Sequence, residues 1–343
     1  MKLSPEQIQA QLNNLKVDNL SDISLSNIES FGNDESLRSM LHKMASYDSK
    51  LKEKIILINE RISAAIPFTK GSLYLFCAYT GSGKSTAAAN ISYPLWKQNK
   101  KILVISNEEE EQDVIMRIAC LDLKLNFNDY KNGVMTGADK MRCLALFKEI
   151  TTFVKVKDVT LSSGKHEGLT TKVEGIKKLL EAVKKENEYS CVLIDYYQLI
   201  KYSINDPKKT SYENLNDLRI WLGQYIKSST MPIVLFVQLY SQSKRQSKGG
   251  DIDNRIKDCS AIVEPASVII EIVPNYDAAT SDFIIHKNRY GIHGKITCGF
   301  EAGRYVNLSD DEVIRREMEG KLSKQSKKLE ELQAKVRLDV KEG

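Results

Sequence analysis

From about residue 66 onward, short unbroken apolar runs alternate with longer stretches whose apolar residues recur every three or four positions. The runs Leu73–Ala78, Lys101–Ser106, Phe153–Val156, Cys191–Asp195, Ile233–Gln238, Val268–Ile272 and Phe283–His286 have the length of buried strands. Gln112–Leu121, Lys172–Glu186 and Asn214–Ser228 show helical periodicity and fall between them. This alternation predicts an α/β fold built on a mostly parallel sheet with helices on both faces. Such sheets hold ligands beyond the carboxyl ends of their strands.

The flanks have a different pattern. Residues 1–65 mix polar helical stretches with Asn/Asp/Ser-rich breaks, and Glu35 to Ile62 predicts a helix that Pro67 ends. Its apolar positions include Leu37, Met40, Leu41, Met44, Leu51, Ile55 and Ile58. The expected organisation is a helical arm over 1–65, a main domain over 66–308 and a charged helical or disordered tail over 309–343. Leu322, Leu329, Leu332 and Val336 give that tail a thin apolar stripe, which suits a solvated helix better than a coiled coil.

Composition narrows the picture by exclusion. The 343 residues carry a formal charge of +5, which permits an anionic partner without requiring one. No apolar stretch is long enough to cross a membrane, and the N-terminus has no apolar signal core. The six cysteines are scattered, with no zinc spacing, and read as small buried hydrophobes of a reducing compartment.

The chemistry begins directly after the first strand. Thr80, Gly81, Ser82, Gly83, Lys84, Ser85 and Thr86 lie between an apolar strand and a helix start, the setting of a phosphate-binding loop. Its backbone N–H groups and the positive helix end attract a polyphosphate. Lys84 is placed for the β- and γ-phosphates of ATP, and the Ser85 hydroxyl for Mg²⁺. Ala78 stands where the strict pattern has its first glycine.

Three strand ends add to this. The second runs into Ser106, Asn107, Glu108 and Glu109, and a carboxylate there can activate water on the γ-phosphate. Glu108 is the first candidate base and Glu109 the second. Asp195, closing the fourth apolar strand, suits the Mg²⁺ role in P-loop enzymes, together with Ser85. Gln238, closing the fifth, is either a sensor of the γ-phosphate or an ordinary polar strand end.

Taken in order, Gly83-Lys84-Ser85, Ser106-Asn107-Glu108, Ile194-Asp195-Tyr196-Tyr197-Gln198-Leu199 and Val237-Gln238 resemble the motifs of DnaB-type replicative helicases, most of all the bacteriophage members. Asn107 and Glu109 replace apolar flanks of that pattern, and Tyr197 replaces a leucine. The resemblance spans about 66–308. It implies a RecA-like P-loop ATPase core, a hexameric ring, primase or helicase-loader partners, and action in the cytoplasm, the host's if the chain is phage-encoded. The family's fifth motif is similar to His286–Gly291, which implies that Lys287 and Arg289 project into the neighbouring subunit's ATP site. Residues 35–62 are the candidate for a linker helix that docks on the adjacent subunit.

Within such a ring, the polar segments 201–209 and 241–250 would face the channel. Lys208, Lys209, Lys244, Arg245 and Lys248 suit sequence-independent contacts to single-stranded DNA. The expected activity is ATP-dependent unwinding of DNA. A recombinase-like filament protein and a regulatory ring ATPase of the circadian-clock type are the alternatives.

Overall fold

The computed structural model describes residues 55–158, 172–200, 210–240, 251–257 and 260–342. Residues 1–54, Cys259, and the two polar segments bearing Lys208, Lys209, Lys244, Arg245 and Lys248 lie outside the described residues. The chain divides between Ile55 and Ile56, so the main unit starts earlier than the expected boundary after residue 65. The helix expected to run as far as Ile62 is also corrected, because residues 55–59 are not helical. Asn59 instead caps a separate helix, α1 (Glu60–Ala65), its side chain accepting the Ile62 N–H at 3.0 Å. A polar cap begins a new helix wherever its oxygen satisfies an orphan N–H. Leu57, Ile62 and Ile66 are buried, which holds this segment to the main unit.

The remaining elements alternate. They are β1 (Leu73–Ala78), α2 (Lys84–Lys97), β2 (Ile102–Ser106), α3 (Glu111–Leu123), α4 (Phe127–Lys131), α5 (Gly137–Phe153), β3 (Val154–Lys157), α6 (Val173–Glu186) and β4 (Cys191–Asp195). A 3-10 turn (Tyr197–Leu199) then leads towards α7 (Ser211–Ser228), β5 (Ile233–Gln238), α8 (Ile252–Arg255), β6 (Val268–Asn275) and β7 (Thr280–Asn288). The chain closes with β8 (Gly294–Glu301), β9 (Arg304–Val306) and α9 (Asp310–Glu342).

The strands form one sheet in the order β3-β2-β4-β5-β1-β6-β7-β8-β9. The pairs from β3 through β6 are parallel, and the last three are antiparallel. β1, β2 and β4 are buried along their whole length, as parallel strands covered on both faces must be. Leu73, Leu75 and Cys77 face the core shared with α6 and α7, including Ile176, Leu180, Leu218 and Leu222. On the opposite face α2 packs against β1, β2 and β4.

β8, β9, α4 and α5 have no counterpart among the expected elements. β8 carries Gly294, Lys295, Thr297 and Gly299 and lacks an apolar run. It is a strand because β7 and β9 supply its partners. The tail forms helix α9, whose first turns are docked: a methyl added at Gly320 would lie 3.0 Å from Ala278, and Arg316 bonds Glu301 at 2.5 Å. Leu322 is exposed, as a solvated helix requires.

Candidate active site

β1 ends at Ala78 and the chain turns through the glycine loop into α2. Gly81 and Gly83 have φ of 75° and 89°, the left-handed region that only glycine enters without strain. Ala78 needs no such freedom. It is still in strand register with Gln238, and its carbonyl accepts the Leu239 N–H at 2.9 Å. An alanine in place of the pattern's first glycine is therefore accommodated.

Lys84, the first residue of α2, is buried, with its ammonium 4.8 Å from the centre of the Tyr196 ring. Ser85 hydrogen-bonds Asp195, while the Asp195 Oδ1 atom is buried without a partner. An orphaned carboxylate oxygen beside a serine hydroxyl is a donor set that fits Mg²⁺, which takes one or two protein oxygens and completes its shell with phosphate and water. Among the described residues no cluster of three or more His, Cys, Asp or Glu could hold a metal by itself. A cavity of about 10 Å³ touches Ser85, Asp195, Ser106, Glu109 and Arg117, room for about one water.

Burial pushes the Asp195 carboxyl up to about 6; the Ser85 hydrogen bond and the Lys84 charge oppose this, and Glu108 and Glu109 reinforce it. The folded chain therefore retains a proton there that the unfolded chain releases near its ordinary value of 3.8. The resulting stability is present at low pH and lost as pH rises through about 6. Without metal or nucleotide, Asp195→Asn is expected to be more stable than wild type at pH 7 by about 2–3 kcal/mol. The gap should close below about pH 4. Thermal melts in EDTA across that range test this, and coincident melts at pH 7 would refute it.

Past β2 the two candidate bases separate. Ser106 Oγ accepts the Glu109 N–H at 3.0 Å and donates to the Glu109 carbonyl at 2.5 Å. Glu109 is ion-paired with Arg117, whose guanidinium lies 4.0 Å from the Phe127 ring centre. Glu108 is exposed beside the loop and makes no hydrogen bond or ion pair among the described residues. Asn107 is buried with both side-chain amide atoms unpartnered, while its N–H donates to the Asp195 carbonyl at 2.6 Å.

Gln238 reaches the phosphate loop directly, its Nε2 donating to Thr80 Oγ1 at 2.5 Å. Its backbone is held by Gln198, which the sequence reading placed in a motif without a role. Gln198 Oε1 accepts the Gln238 N–H at 2.9 Å, and Nε2 donates to the carbonyls of Gln238 and Lys257, each at 3.0 Å. One side chain thus joins the end of β5 to the segment around α8.

Lys287 and Arg289 are not brought to this loop. Lys287 pairs with Ile269, and Ile269 with Leu75, three residues before β1 ends. That places it about 10 Å back along the strand and about 10 Å to the side, two strands over. Lys287 Nζ donates to the Val263 carbonyl at 2.8 Å, and Arg289 to the Glu264 carbonyl at 3.3 Å. Burial and the charge of Arg289 lower the Lys287 ammonium below its ordinary value. A surface recess of about 510 Å³ includes Arg289, Arg219 and Glu264. Arg219 is ion-paired with Glu264 there, whereas Arg304 lies over the Tyr93 ring.

The model of the DnaB-like helicase C terminal domain matches residues 63–308 of this sequence. The chain belongs to that family.

Among curated DnaB-like relatives, the replicative DNA helicase DnaB of Geobacillus stearothermophilus is 22% identical over 251 residues, covering 70% of this chain and 53% of its own length. The replicative DNA helicase DnaC of Bacillus subtilis is 22% identical over 252 residues, with the same shares. The chain thus spans about half the length of these relatives. Among solved structures, the ATPase domain of a phage helicase superposes with a TM-score of 0.65 at 18% identity, over 81% of this chain and 99% of that one. A DnaB-like replicative helicase studied with primase gives 0.65 at 19%, over 88% and 74%. Likeness at this level shows the shared fold, a DnaB-like ATPase core.

Proposed function

We propose that this chain is the motor of a replicative DNA helicase, a ring of identical subunits that couples ATP hydrolysis to movement along single-stranded DNA. The position of Lys287 and Arg289 carries the reading. They stand too far from the phosphate loop of their own subunit to reach its nucleotide, and on an edge where a neighbour's loop can meet them. A site shared between subunits suits a closed ring, and a hexamer is the assembly proposed.

Bound ATP with Mg²⁺ supplies the transferable γ-phosphoryl group and the cation that spreads its charge. Lys84 and the loop amides hold the β- and γ-phosphates, and Ser85 and Asp195 offer oxygens to the metal. Glu108 takes a proton from the attacking water at its free carboxylate, while Gln238 reads the γ-phosphate. Lys287 and Arg289 of the next subunit neutralise charge that grows on the transferring group.

Lys208, Lys209, Lys244, Arg245 and Lys248 follow the ends of β4 and β5, the edge that also bears the phosphate loop, and are proposed to track the DNA backbone. A primase or a helicase loader is the proposed protein partner, and the cytoplasm the proposed site of action. No helix among the described residues is long and apolar enough to cross a membrane.

Hydrolysis by the purified chain is expected to rise with single-stranded DNA, and forked duplexes to separate with ATP. Turnover that ignores single-stranded DNA would sink the motor reading. DNA-coated filaments without unwinding would point to a recombinase instead.

A further inference from the structure

β6 carries an acidic residue where a buried strand has no use for one. Glu271 is fully buried, level with Cys77 of β1. Arg255, also buried, grips it with both fork nitrogens, at 2.7 Å and 2.6 Å. His286 of β7 completes the cluster, its Nε2 lying 2.8 Å from Glu271 Oε2. Burial would raise the Glu271 carboxyl, but the hydrogen bonds from His286 and Arg255 and their charges hold it at about 2. The ionised carboxylate can only accept, so His286 donates.

A buried ion pair is a poor way to stabilise a sheet, since apolar side chains of like volume commonly do as well. Its position gives it another use. Arg255 closes α8, and its carbonyl accepts the Tyr240 N–H at 2.9 Å, just beyond Gln238. The Lys257 N–H meets the Gln238 carbonyl at 3.1 Å, and Tyr79, next to Thr80, helps keep the guanidinium charged. At the other end, His286 directly precedes Lys287.

We propose that Arg255, Glu271 and His286 form a relay through the sheet, carrying the state of a subunit's own ATP site, felt at Thr80 and Gln238, to the Lys287 and Arg289 it presents to its neighbour. The relay rests on the shared-site reading above. All three are positioning residues, since none touches nucleotide, and His286 is the most accessible of them. His286→Leu cuts the link to β7 and leaves the buried Arg255–Glu271 pair intact. His286→Gln still donates a hydrogen bond to Glu271.

Initial ATPase rates across an ATP titration test the relay, with thermal melts verifying that each variant is folded. Wild type is expected to respond sigmoidally. His286→Leu should become hyperbolic, its half-saturating ATP shifted about fivefold with kcat within about twofold, since coupling between sites commonly amounts to 5–150-fold. His286→Gln should behave as wild type. A hyperbolic wild type, or a His286→Leu variant that keeps wild-type cooperativity, overturns the relay. Failure of the shared site itself is read separately, in mixtures of wild-type and Arg289→Ala subunits.

Discussion

Arg289→Ala subunits mixed into wild-type assemblies are expected to reduce activity by more than their share. An arginine supplied across an interface commonly contributes a factor of about 10³–10⁵ to phosphoryl transfer. The uniform Arg289→Ala assembly should therefore be almost inert, while still binding nucleotide through Lys84 and the loop amides. The sheet register underlies this, since Lys287 pairs with Ile269 beside Leu75 and the phosphate loop begins beyond Ala78. If hydrolysis proceeds around a ring, each variant subunit disables the site next to its own, and activity falls faster than linearly with variant fraction. A titration at fixed total protein checks this. Strictly linear dilution would return Arg289 to its own subunit, a geometry that the register opposes. Arg289 is held only by its side-chain bond to the Glu264 carbonyl at 3.3 Å and its N–H bond to the Ser267 carbonyl at 3.0 Å. Its loss should leave the fold standing.

Glu108→Gln should retain ATP binding and lose turnover by about 10²–10⁴-fold, the usual worth of a positioned general base. The neighbouring change separates the two candidates. Glu109 is committed to Arg117 and capped by Ser106, so Glu109→Gln removes an ion pair and leaves the free carboxylate of Glu108 in place. Its turnover should stay within about tenfold of wild type, with a lower melting temperature from the loss of a half-buried pair. Single-turnover hydrolysis and equilibrium binding of a non-hydrolysable analogue distinguish binding from chemistry. A Glu109→Gln variant as inert as Glu108→Gln would move the base by one residue.

The readable parts of the chain are those whose physics is local. Apolar runs bounded by turn residues located seven strands, because a strand covered on both faces must be apolar along its length. The glycine loop was readable because positive φ and close backbone approach demand glycine at Gly81 and Gly83. Asp195 and Gln238 stood out as polar residues at the ends of apolar strands. The split between Glu108 and Glu109 was not readable. It depends on Arg117, a turn of α3 away, and on which carboxylate that arginine reaches. α1 was merged into a longer helix because apolar spacing carries across a break that only the Asn59 cap enforces.

Glu271 marks the limit in another way. The run Val268–Ile272 reads as a strand, and an acidic residue inside it signals a buried charge that must have a partner. The sequence offers many basic residues and no means of choosing among them. Arg255 and His286 become the partners only when α8 and β7 are laid beside β6. Gln198 is similar, since its amide is useful only once Gln238 and Lys257 converge on it.

The sequence by itself determined the class of fold, the phosphate loop and the strand ends that carry its chemistry, because periodicity, glycine and strand-end polarity act over a few neighbouring residues. Only the tertiary structure decided that Lys287 and Arg289 stand away from their own nucleotide, that Glu109 is occupied and Glu108 free, and that a buried charge cluster joins α8 to β7. Those outcomes depend on sheet order and register, which bring together residues far apart in the chain and which no local pattern specifies.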